Sequence, residues 1–141
     1  MALTVADEFL PPAENVANLG PDWRTRIPQQ LAALAEAWRD PSAWTGMTKA
    51  GGLDLPGEAV GLIAVDELVV HGWDIARASG QPYDCEPELV AAATAFVAPI
   101  AESGEAPREG LFGAPVPVPA DASPLDRLIG MTGRDPAWSP G

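Results

Sequence analysis

An all-α fold joined by long irregular connections is what this sequence predicts, on three observations. Apolar residues recur at spacings of three and four in separate stretches, the pattern of helices with one buried face. The 14 glycines and 16 prolines gather between those stretches. Boundary residues of the right kind stand at their ends: a capping Ser or Asp, a first-turn Pro, a trailing Gly. At 141 residues and 47% hydrophobic content the chain suits one domain with a real core, read over residues 1–141.

Residues 1–21 read as an irregular or weakly helical lead-in, broken by Pro11, Pro12 and Gly20. The first helix is expected to run to Arg39, with Ile27, Leu31, Leu34, Ala35 and Trp38 on one face. Pro28 either opens it or kinks it, and Asp40–Pro41 stops it. Residues 41–56, with Gly46, Gly51, Gly52 and Pro56, read as a loop holding at most one short extended piece. The second helix spans Gly57 to Ser79, with Gly80 just past its end. Val60, Leu62, Ile63, Val65, Leu68, Val69, Val70, Trp73 and Ile75 surround it, so it is expected to be central and buried.

Asp84 is placed to cap a third helix, from Cys85 to Ala101, with Pro87 in its first turn. Its expected inner face is Leu89, Ala92, Ala93, Phe96, Val97 and Ile100. Residues 102–122 form a Gly/Pro-rich arm, extended through Pro115–Val116–Pro117–Val118–Pro119 because alternate prolines cannot join a central sheet. A short last helix follows, with Ser123 as cap, Pro124 at its first position and Gly133 after its end.

The formal charge of −12, from 8 basic and 20 acidic residues, disfavours nucleic acid and anionic membrane surfaces as partners. No run approaches the 18 apolar residues of a membrane span, and Asp7 and Glu8 stand where a signal peptide would be basic and apolar. Cys85 is alone and forms no internal disulfide, which suits a reducing compartment, so a cytoplasmic location is expected.

One feature of the second helix points to chemistry. Glu67, His71 and Asp74 fall on consecutive turns of one face of a mostly apolar helix. Buried and unpaired, each charge would cost several kcal/mol. Glu67 and His71, at i and i+4, stand about 5–6 Å apart at Cβ, close enough to reach one cation. Carboxylate and imidazole suit Zn²⁺, Ni²⁺, Fe²⁺ or Mn²⁺. Two ligands do not complete a site, because zinc normally takes three from the protein and a water. Spacing therefore leaves two readings open: a metal-ligand pair, or a Glu–His hydrogen bond that satisfies two polar groups. Asp74 either holds the imidazole from behind or pairs with Arg77. Asp66 and Arg77 read as outward-facing or loop-pairing, Trp38 and Trp73 as core, and Cys85 as a small filler despite a helix start that favours thiolate.

The segment from Val65 to Pro82, with Glu67–Leu68–Val69–Val70–His71–Gly72–Trp73–Asp74 at its centre, resembles the signature of actinobacterial DinB-like metal-binding proteins related to mycothiol-dependent maleylpyruvate isomerase. The segments Ala37–Pro41, Phe112–Leu128 and Gly133–Pro136 agree, so the resemblance runs from about Asp22 to Trp138. It implies a DinB-like helical bundle, truncated at the N-terminus, with the extended arm and short last helix appended. It also implies a divalent ion, Zn²⁺ or Ni²⁺ foremost, held by a His from the second helix of the bundle and by a pair spaced four apart on the fourth. Glu67 and His71 match that pair, with Asp74 behind them. A low-molecular-weight thiol activated on the ion would then serve an isomerase or transferase.

This sequence departs from that pattern upstream. It lacks a Gly-Trp-x-Val-x-x-Leu-x-x-His-Leu motif and has one His, so the first ligand is absent. The site is then expected to be degenerate, or completed in a homodimer whose exposed apolar helix faces pair and bring two Glu67–His71 sets together. A second protein supplying the missing helices, or a native chain longer at its N-terminus, would serve the same end. The alternative is a non-catalytic helical binding or assembly protein that has lost the metal.

Overall fold

A computed structural model describes residues 20–102 and 112–140. They form four helices and one small hairpin: α1 (Trp23–Ala37), β1 (Met47–Ala50), β2 (Leu53–Pro56), α2 (Gly57–Ala78), α3 (Pro87–Glu102) and α4 (Pro124–Met131). The mostly helical class agrees with the sequence. The expected lead-in and the start of the arm fall partly outside the described residues. The chain divides into two units, residues 1–61 and 62–141.

In the first unit, α1 starts at Trp23, just after the expected lead-in, runs through Pro28 and ends at Ala37, two residues short of the expected Arg39. The proline sits in the second turn, where it has no N–H to donate to the carbonyl four residues back. Asp40 ends the connection after α1: its side chain accepts from the Ser42 backbone at 2.8 Å and starts a 3-10 turn, Pro41–Trp44. Trp44 donates from Nε1 to the Trp38 carbonyl at 2.8 Å, and the two rings meet edge-on at 4.9 Å. Gly61 exists to admit that ring, since a Cβ there would lie 2.5 Å from it.

Residues 47–56, expected as loop, form an antiparallel hairpin with Met47 opposite Pro56 and Ala50 opposite Leu53. Gly51 and Gly52 at its tip have φ of 56° and 78°, the paired positive values that a tight two-residue hairpin turn demands. Lys49 and Asp54 face each other across it at 3.4 Å.

In the second unit, α2 ends as its sequence predicts. Gly80 has φ of 67°, the Gln81 amide donates to the Ala76 carbonyl at 2.8 Å, and the Gly80 amide donates to the Arg77 carbonyl at 3.1 Å. This crossed pair is the Schellman stop that glycine permits. Helix α3 starts two residues later than expected. Leu89 and Val90 both donate to the Glu86 carbonyl, so Pro87 takes the first helical position, and Asp84 accepts only from its neighbour Cys85. Its buried residues are Val90, Ala93 and Val97, while Leu89, expected inside, is exposed.

The core gathers Val69 from α2, Val90, Ala93 and Val97 from α3, and Leu128 from α4. A second cluster joins Val70, Trp73 and Ile129, with Tyr83 and Leu125 against it. Tyr83 donates to the Val69 carbonyl at 2.8 Å over Gly72, where a Cβ would lie 2.8 Å from the phenol oxygen. Ser123 caps α4 by accepting from the Asp126 amide at 3.0 Å. The proline-rich arm runs beside α4 without joining a sheet: the Val116 amide donates to the Gly130 carbonyl at 2.9 Å. Gly130 and Gly133 make that approach possible, since Cβ atoms there would lie 2.8 Å from the Val116 oxygen and 2.6 Å from the Gly113 Cα.

Candidate functional site

Helix α2 brings the predicted residues together. Glu67 Oε2 lies 3.1 Å from His71 Nε2, and Asp74 Oδ2 lies 2.9 Å from His71 Nδ1. The helical repeat alone sets this, stacking the three side chains on successive turns. Their environment differs from expectation. Glu67 and His71 side chains are each 57% exposed, so the stripe lies on an open face rather than inside a buried helix. Leu68 and Ile75, at 56% and 69%, are exposed with them.

The side of α2 that packs inward carries Asp66, Val69, Val70, Trp73 and Ala76. Asp66, expected outside, is only 3% exposed, and its Oδ1 has no hydrogen-bond partner. Burial, then the neighbouring Glu67 charge, push its carboxyl up to about 6, against the opposing pull of Arg134 and His71.

Asp74 has an arginine partner, but it is Arg134 rather than Arg77. The Arg134 Nε and Nη2 donate to Asp74 Oδ1 and Oδ2 at 2.7 and 2.9 Å, a two-bond fork. Burial works against the Asp74 charge, yet the hydrogen bonds from Arg134 and His71 outweigh it and hold the carboxyl below its ordinary value. Arg77 instead lies 5.4 Å from the Trp73 ring centre and donates to the Pro136 carbonyl at 3.2 Å. Local sequence held no signal for the Arg134 contact, because 60 residues separate it from Asp74.

Both nitrogens of His71 therefore face carboxylate oxygens. A carboxylate only accepts, so each contact needs a proton or a cation between the partners. An imidazolium ring meets both. So does a ring with Nδ1–H on Asp74 and a cation shared by Nε2 and Glu67. The donor set fits two corners of such a cation: ligands at 2.0–2.1 Å on a tetrahedral ion stand roughly 3.3 Å apart, and Nε2 and Oε2 stand 3.1 Å apart. Among the described residues no group of three or more His, Cys, Asp or Glu is arranged to hold a metal.

Cys85 stands away from this face. It packs against the core cluster, as a filler would, and burial pushes its thiol up while Tyr83 pulls the other way. It lines a groove of about 880 Å³ with Trp73, Tyr83, Thr94 and Leu125 that neither Glu67 nor His71 reaches. No helix among the described residues is long and apolar enough to cross a membrane.

Fold and site together define a mostly helical chain with a Glu–His pair one turn apart and a carboxylate behind the imidazole. Residues 4–76 match the mycothiol maleylpyruvate isomerase N-terminal domain, and the chain belongs to that family. The match includes Glu67, His71 and Asp74, begins well before Asp22 and ends at Ala76. Two uncharacterised proteins from Mycobacterium tuberculosis, of strains CDC 1551 and H37Rv, are each 31% identical over 119 residues, covering 81% of this chain. The chain spans 63% of the length of these curated relatives. No solved structure matches it.

Proposed function

We propose that this chain carries half of a divalent-metal site, completed across two copies, in a cytoplasmic protein of the mycothiol-dependent isomerase or transferase type. The observation that carries the reading is the pair Glu67 Oε2 and His71 Nε2, 3.1 Å apart on an open face. Glu67 and His71 would be the ligands, with Asp74 orienting the imidazole through Nδ1. A divalent ion bound there supplies a lowered pKa to a coordinated thiol. The exposed Leu68 and Ile75 flank the pair and give a second copy an apolar surface to bury. Two such faces meeting would present two carboxylate–imidazole sets, the kind of donor array found inside metal-binding bundles.

The second reading, a non-catalytic helical assembly protein, is favoured by the absence of a third donor among the described residues. Elemental analysis of protein purified without an affinity tag separates the two. Wild type is expected to carry Zn²⁺ or Ni²⁺, and His71→Ala to lose it. Metal-free wild type after incubation with either ion would establish the second reading.

A further inference from the structure

We infer that Arg134 is a positioning residue for His71, acting through Asp74, so that the C-terminal segment orients a site whose ligands lie in the family-matched part of the chain. The inference rests on the metal-pair reading for its purpose but on contacts within the protein for its evidence. Arg134 follows Gly133, whose φ of 83° turns the chain sharply after α4. The Arg134 amide donates to the Ile129 carbonyl at 3.3 Å, and Ile129 and Leu128 are fully buried. The guanidinium is thus anchored to the core at its base and reaches Asp74 with both ends of its fork.

That fork decides what Asp74 can do. Oδ1 is taken by Nε at 2.7 Å, and Oδ2 is shared between Nη2 and His71 Nδ1, both at 2.9 Å. A bidentate guanidinium fixes the plane of the carboxylate, and its charge keeps that carboxylate ionised and acceptor-only. Asp74 can then meet Nδ1 only as N–H, which leaves Nε2 turned toward Glu67 as the coordinating nitrogen. Without Arg134, an Asp74 side chain that is about one-third exposed is free to rotate into water. His71 then loses the contact that selects its tautomer. Partners of this kind behind a metal-binding His are typically worth 10- to 100-fold in affinity. Arg134 lies outside residues 4–76, so the matched segment holds the ligands without the group that aims them.

The test uses the full chain, in which His71 is the one histidine and its ring signals need no assignment. The ring nitrogens are read by long-range ¹H–¹⁵N correlation in metal-free protein at pH 8.5, and Co²⁺ affinity by visible absorbance. Wild type is expected to show the Nδ1–H form. Arg134→Ala should shift the ring toward Nε2–H and weaken Co²⁺ about tenfold or more, with Arg134→Lys between them. Arg127→Ala is the structural control: its guanidinium ties the same segment to the Ala120 and Ala122 carbonyls and does not reach Asp74. It is expected to lower stability and leave the tautomer unchanged. Should Arg134→Ala fail to fold, Arg134→Gln, which keeps most of the stem and loses the charged fork, gives the same readout. An unchanged tautomer in the Arg134 variants, or an equal shift in Arg127→Ala, overturns the inference. Failure of wild type to bind Co²⁺ overturns the metal reading alone, because the tautomer still decides the role of Arg134.

Discussion

Both sides of α2 carry large apolar residues and a carboxylate, yet the two end in opposite environments. One side presents Val69, Val70 and Trp73 to α3 and α4 residues and, with Ala76, is almost fully dry. The other presents Leu68 and Ile75, equally apolar, to water, with Glu67 and His71 between them. Leu68 and Ile75 are no less apolar than Val69 and Val70, so the hydrophobicity of these residues does not itself say which are buried. What separates them is whether another element arrives, and on the dry side Leu128 and Ile129 do. The comparison also inverts the charges: the dry side holds a carboxylate with an unpartnered oxygen, Asp66, while the wet side holds the paired ones.

The largest effect should come from emptying the dry side. Leu128→Ala removes a fully buried side chain from the main cluster and should cost about 3–4 kcal/mol, read as a lower urea midpoint. A loss under 1 kcal/mol would mean that the α4 contact does not organise this side. Next comes the hinge that brings α4 and Arg134 round. Gly133→Ala adds a Cβ at positive φ against Gly113 and should cost about 2 kcal/mol.

Asp66 sharpens the contrast by pH. Its folded value of about 6 stands above the ordinary 3.8, so the folded chain keeps a proton that the unfolded chain releases between those values. The stability this group contributes is present below about pH 4 and lost as pH rises through 6. Asp66→Asn should therefore stabilise chelator-treated protein by about 1–2 kcal/mol at pH 7.5, and the gain should vanish near pH 4. An equal gain at both pH values would show that burial of this carboxylate is not what the substitution relieves. Ser123→Ala, which removes the cap of α4, should cost about 1 kcal/mol in thermal unfolding.

The smallest effect on the fold, and the most telling for function, belongs to the wet side. Leu68→Glu with Ile75→Glu should change monomer stability by no more than about 0.5 kcal/mol. If this side seats a second copy, the same double variant should sediment as a monomer where wild type sediments as a dimer. A wild-type monomer at high concentration would end the two-copy reading.

Much of the helical order was legible because its signals are local. Gly80 stops α2, Ser123 and Pro124 start α4, and Glu67, His71 and Asp74 stack because one helical repeat puts them there. The hairpin at 47–56 was missed although Gly51–Gly52 is a turn signal, because its strands are short and lack an apolar alternation. Periodicity finds the inner face of α3 only to within a residue, and packing against α4 buries Val90 where the pattern points to Leu89.

Local chemistry sets the helices, the stop of α2, and the Glu67–His71–Asp74 stack, since each depends on bonds and side chains within a few residues. Packing over long range settles that Asp66 is buried, that Leu68 and Ile75 are not, and that Arg134 reaches back to Asp74. Those are outcomes of chain segments some 60 residues apart meeting in space. No local pattern encodes such a meeting, because its free energy comes from packing that exists only once the core has formed.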